Sequence, residues 1–194
     1  MTITPLENTN YEAIPSESSR ALFWIFTGTY GFATLFYLAN FYSYGISFSY
    51  PSILLAITLA SPIFGFAFIL LDAFLLKMTG RLVGGNANIP SLQFALAYSK
   101  APFVILTLLW MIVLAADPAS AFIQDASNGA TVTMVFSFFG VAIWSFCLLT
   151  KHLIKLQQIS ILRALWNSFA TYVLSFFVYA TVLFIARYIY ISWF

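Results

Sequence analysis

The sequence predicts an all-α integral membrane protein, a bundle of five transmembrane helices with the N-terminus cytoplasmic and the C-terminus on the opposite side. Three observations predict it. The 194 residues are 62% hydrophobic and only 7% charged, with a mean hydropathy of +0.93, whereas a water-soluble domain carries about 25% charged residues. A soluble fold of this size has too little interior to hide so much apolar surface. Five apolar runs match the ~20 residues a helix needs to cross a bilayer. Lastly, the basic residues fall in alternate connections between those runs.

The elements follow in order. Residues 1–20 form a short polar cytoplasmic tail holding Glu7, Glu12 and Glu17, with Arg20 at the mouth of the first span. Its start has no basic region leading into a short apolar one, so it does not read as a signal peptide. The five-helix domain then fills 21–194, with spans at about 21–41, 53–76, 92–116, 131–150 and 165–191. These runs lack the alternation of barrel strands, and in hydrocarbon only helices or closed barrels satisfy their own backbone. The connection 42–52 is uncharged and rich in tyrosine, with Pro51 and Ser52 placed to begin the second helix. The connection around 77–100 holds Lys77, Arg81 and Lys100, and 151–164 holds Lys151, Lys155 and Arg163. The connection 117–130 holds only Asp117 and Asp125. Base-rich loops face the cytoplasm, which sets the orientation. Arg187, set among Tyr188, Tyr190 and Trp193, reads as an anchor at the outer interface.

Several side chains stand out against this apolar background. Ala56, Ala60, Ser61 and Gly65 in the second span are small and near-helically spaced, which lets a neighbouring backbone approach closely, within the bundle or in a dimer. Pro62 lacks an amide hydrogen and predicts a kink there. Asp72 lies inside the same span, where a carboxylate is costly and needs a partner. Gly84 and Gly85 suit a helix stop and a tight turn. Asn88 and Pro90 suit the start of the next helix, and Pro102 predicts a break, leaving 90–100 as a lead-in and 101–116 as the deep part of the third span. Pro102 also frees the carbonyl near Tyr98. The ammonium of Lys100 then has two courses. It snorkels to the cytoplasmic interface, or it reaches Asp72 and the freed carbonyl and ties the second and third spans together. Lys151, Lys155 and Arg163 predict a segment lying along the cytoplasmic interface, drawn to anionic lipid.

Catalysis lacks its parts. His152 is the only histidine and Cys147 the only cysteine, and the six acids are scattered. No metal-ligand spacing, paired carboxylates or Walker-type phosphate loop occurs. The expectation is therefore no enzyme, no metal and no cofactor, and a net charge of +2 argues for no nucleic acid.

The stretch "FILLDAFLLKMTGRLVGG", the polar lead-in with Tyr98 and Pro102 separated by three residues, and "IWSFCLLTKHLIKLQQISILRALWNSF" at 143–169 together resemble the Yip1 family of five-span membrane proteins. The resemblance covers roughly 50–190 and puts Gly84, Gly85, Tyr98 and Pro102 in family-like positions. It implies a non-enzymatic multi-pass protein acting through protein or lipid interactions in membrane organisation or trafficking. In its eukaryotic branch the family is linked to Rab GTPases. Here the first span opens with "ESSRALFWIF" in place of an Asp-Leu-Tyr-Gly-Pro-like motif, and the longer cytoplasmic N-terminal region is missing. Both departures weigh against Rab binding and favour the prokaryotic-type branch. The expected location is a prokaryotic plasma membrane, with a eukaryotic endomembrane as the alternative. The expected partners are the bilayer, anionic lipids included, and a membrane protein or a second copy of the chain. Two rival readings stand beside this one: an accessory subunit of a larger membrane complex, and a small transporter or channel using Asp72 and Lys100.

Overall fold

The computed structural model describes residues 17–125 and 129–193. Helix α1 covers Glu17–Phe41, a single 3₁₀ turn covers Tyr44–Ile46, and α2 covers Tyr50–Leu82. Helices α3 (Ile89–Ser99) and α4 (Pro102–Ala116) follow, then a short α5 (Pro118–Ala121), α6 (Gly129–Gln157) and α7 (Ile161–Trp193). Five helices among the described residues are long and apolar enough to cross a membrane, with α3 and α4 counted as one span, Ile89–Ala116. The tail before Glu17 and the side chain of Arg187 lie outside the described residues.

Local chemistry accounts for the helix ends. Ser49 stands in an extended conformation at the N-cap position of α2, and Pro51 occupies its first turn, where a missing amide hydrogen removes nothing. Pro62 lies inside α2, yet α2 is continuous. The carbonyl that Pro62 cannot bond belongs to Thr58, and the hydroxyl of Ser61 donates to it at 3.0 Å. A neighbouring hydroxyl thus makes good the lost backbone bond.

Helix α2 ends in a Schellman motif. Gly85 N–H donates to the Gly80 carbonyl at 2.8 Å and Gly84 N–H to the Arg81 carbonyl at 3.3 Å, with Gly84 left-handed at φ 87°. That conformation favours glycine. Helix α3 starts where Asn88 accepts a hydrogen bond from Ser91 N–H at 2.9 Å, with Pro90 in the first turn.

The break before Pro102 is a tight turn. Lys100 N–H bonds the carbonyls of Leu96 and Ala97, and Ala101 N–H donates to the Tyr98 carbonyl at 3.2 Å. The carbonyl freed by Pro102 is therefore taken by backbone, and the ammonium of Lys100 is not needed there. At the other basic connection, α6 runs on through Lys151 and Lys155 to Gln157, and only residues 158–160 separate it from α7. Gln158 makes the turn at φ 53°. Lys151 and Lys155 therefore lie on the end of α6, and Arg163 lies in the first turn of α7.

Two apolar cores stack along the bundle. One, at the end bearing the basic connections, joins Phe23, Ile69, Leu76, Leu92, Leu96, Leu149 and Leu153. The other joins Phe36, Ile57, Phe103, Leu106, Trp110, Phe122 and Met134. Tyr30 packs against both. Helices α1 and α2 touch most closely at Gly31 and Gly65: a Cβ on Gly65 would collide with the Thr27 carbonyl, and one on Gly31 with the backbone of Ser61 and Gly65. The small-residue face of α2 therefore divides. Ser61 and Gly65 pack inside the bundle, while Ala56 and Ala60 remain open.

Candidate functional site

Polar residues on α7 recur about once per turn. Asn167, Thr171 and Ser175 are four residues apart, and Ser168, Tyr172 and Tyr179 lie beside them. Spacings of three and four gather side chains on one side of a helix. That side faces into the bundle: Asn167, Ser168, Thr171 and Ser175 are all buried. The α7 ladder organises every buried polar group of α2 below Ser61.

At the basic end, Thr79 of α2 donates to Asn167 Oδ1 at 2.5 Å and lies 2.9 Å from the Thr171 hydroxyl. Asn167 Nδ2 donates to Gln157 Oε1 at 3.1 Å. Gly80 and Gly85 line the Gln157 amide, and a Cβ at Gly85 would overlap it. The glycine pair thus has two physical duties, the left-handed turn at Gly84 and room for Gln157 at Gly85. Beside this network Thr150 of α6 donates to Ser168 at 3.2 Å.

Asp72 lies two turns further in and is 5% exposed. Its Oδ1 accepts from Ser175 Oγ at 2.6 Å and from the Tyr179 hydroxyl at 2.7 Å. Short bonds to a charged acceptor are the strong kind. Lys100 is 1% exposed. Its ammonium donates to the Tyr172 hydroxyl at 3.0 Å and stands over the Tyr30 ring at 4.4 Å and the Tyr172 ring at 5.0 Å. Aromatic faces attract a cation, more so when water is excluded. Lys100 therefore does not snorkel. Its stem is enclosed by protein because the break at 100–101 directs it inward between the two cores.

Asp72 and Lys100 are held against one stretch of α7, each by its own partners. Neither takes its hydrogen bonds from the other. Lys151, Lys155 and Arg163 are all exposed at the basic end, with Arg163 next to Gly84. Arg81 is exposed there too. Pro102 is buried and Pro62 exposed. Tyr98 is half-buried, its ring 5.5 Å from that of Phe26 on α1.

Sequence reasoning missed Ser175, Tyr179, Tyr172 and Tyr30 as partners of the two charges, and Thr79, Gln157 and Asn167 as a network. The signal was present in "WNSFATYVLSFFVY", a polar residue nearly every turn in a span that stands out first for its length.

The Yip1 domain model matches residues 4–186. The chain belongs to the Yip1 family. It is a multi-pass membrane protein, as the five apolar helices also require. No curated protein and no solved structure matches it. The Yip1 match takes in the Schellman glycines, both buried charges and the α7 ladder.

Proposed function

We propose that this Yip1-family protein is a non-enzymatic membrane scaffold that engages anionic lipid, or a membrane protein partner, through its basic end. One observation carries the reading. The two charges inside the spans are already taken up by α7, whereas Lys151, Lys155, Arg163 and Arg81 stand exposed around one end of the bundle. Each basic group near an anionic surface contributes about 1 kcal/mol. In this reading the collar faces the cytoplasm and works through the surface it presents. The departures from the eukaryotic first-span motif weigh against a Rab GTPase as the partner.

The test is lipid retention by the full chain. Purified protein is reconstituted in nanodiscs of mixed phosphatidylcholine and phosphatidylglycerol, and the bound lipid is identified by mass spectrometry. Enrichment of phosphatidylglycerol that disappears in Lys151→Gln/Lys155→Gln/Arg163→Gln supports the reading. Equal retention by both proteins, with no partner recovered from cross-linked membranes, rejects it. The rival reading, transport by way of Asp72 and Lys100, makes a different demand: solute flux into proteoliposomes that stops in Asp72→Asn.

A further inference from the structure

A half-open groove of about 670 Å³ runs along α1, α2 and α7 at the end away from the collar. Tyr42, Tyr44 and Ser52 form its rim, and Ala56 and Ala60 its floor. Tyr30, Phe68 and Tyr179 line its inner end. That end is fixed, because the Tyr179 hydroxyl points away toward Asp72 at 2.7 Å while its ring packs on that of Phe68 at 4.8 Å. Among the described residues, none that lines the groove is charged. Its wall continues into the exposed apolar surface of α2, where Leu55, Leu59 and Ile63 are 61%, 68% and 71% exposed.

The length of the groove bears on what could fill it. From Ser52 to Phe68 the α2 axis advances about 24 Å. One leaflet offers roughly 15 Å of hydrocarbon and roughly 6 Å of headgroup layer. The groove is thus about one extended phospholipid long. With the hydroxyl-bearing rim set at the ester and headgroup layer, the aliphatic and aromatic walls would run beside a tail, and the inner end at Tyr30, Phe68 and Tyr179 would fall near the middle of the bilayer. From this match we infer that the groove is a binding site for one acyl tail of a phospholipid in the leaflet opposite the collar. A tail seated there is enclosed by three helices, whereas a tail on Leu59 or Ile63 is an ordinary neighbour.

The small floor residues make the site possible. A large side chain at Ala60 would occupy the space of the tail without entering either apolar core. Alanine at 56 and 60 leaves the channel free, while the close α1–α2 crossing at Gly31 and Gly65, just below, brings the walls together.

The experiment uses the full chain in nanodiscs of phosphatidylcholine alone, doped with phosphatidylcholine bearing a diazirine at the end of one tail. The absence of anionic lipid separates this site from the collar, so that loss of collar binding leaves the result unchanged. After illumination, adducts are mapped by peptide mass spectrometry. The expected result is concentration of adducts on Tyr30, Phe64 and Phe68, and their loss in Ala60→Trp with surface adducts on Leu59 and Ile63 retained. Ala56→Phe, nearer the open rim, gives the same readout if Ala60→Trp lowers the thermal unfolding temperature. Adducts spread evenly over groove and surface, or unchanged in both variants, would overturn the assignment. So would a chain-to-chain cross-link through Ala56 or Ala60 that excludes the lipid, because the groove would then receive a second copy.

Discussion

Tyr179 serves two surfaces at once. Its hydroxyl donates to Asp72 while its ring closes the groove. Tyr179→Phe keeps the ring and removes the donor. A hydrogen bond to a charged group is worth about 1.5–3 kcal/mol in water-soluble folds, but unfolded helices within a membrane find substitute partners and the measured mean falls to about 0.6 kcal/mol. The membrane value is the applicable one, so Tyr179→Phe should cost about 1 kcal/mol or less in detergent unfolding. Asp72→Leu should cost more, since it orphans Ser175 and Tyr179 together and leaves Lys100 without a counter-charge. Lys100→Met leaves Tyr172 and the Tyr30 face without their cation. In the double change Asp72→Leu/Lys100→Met neither charge remains, and the loss should be smaller than the sum of the two single losses. Strict additivity in a thermal unfolding cycle would show the charges to be independent. Asp72 inside a span was plain from the sequence, because ionised groups are so rare there, whereas Lys100 read equally as a snorkelling residue and as a buried one. Their partners were not plain, since the hydrogen-bonding ones come from 72 to 107 positions away.

Helix α7 joins the elements. Its polar ladder receives Thr79 and Asp72 from α2, Gln157 and Thr150 from α6, and Lys100 from the turn between α3 and α4. Asn167→Leu should therefore act beyond its own contact, leaving Thr79 and Gln157 short of a partner in a dry interior. With two bonds lost at the membrane value the expected cost is about 1–2 kcal/mol, read as a lower unfolding temperature and as faster proteolysis at residues 158–160. Helices α1 and α2 are joined differently, by backbone proximity. Gly65→Val should separate them, since its Cβ meets the Thr27 carbonyl, at a cost of about 1–3 kcal/mol for overpacking. A variant that unfolds with the wild type would refute this account of the crossing. Helix starts and stops were legible element by element, because a Schellman glycine, an Asn cap and a proline act over a few residues. Pro62 shows the limit of such reading: the carbonyl left by the missing amide finds a donor in the hydroxyl of Ser61, a partner that proline chemistry alone does not name.

For the whole molecule, the asymmetry of charge between the two ends carries the orientation. The collar end holds Lys77, Arg81, Lys151, Lys155 and Arg163, while the opposite connections hold Asp117 and Asp125. Reporter fusions after Asp125 and after Phe194 should both report the non-cytoplasmic side; a cytoplasmic signal at either position would invert or break the proposed topology. The sequence by itself determined the membrane as solvent, the all-helical class, the five spans and the family, since each follows from composition, run length or short motifs that need no neighbour. The tertiary structure alone decided which face of each span turns inward. Hydrophobicity cannot distinguish a lipid-facing face from a buried one when both surroundings are apolar, and the division into an apolar and a polar side that marks a helix packed in water is lost. Only packing shows that Lys100 turns into an aromatic enclosure, that α7 supplies the partners of both charges, and that Ala56 and Ala60 floor a groove while Ser61 and Gly65 seal a helix crossing.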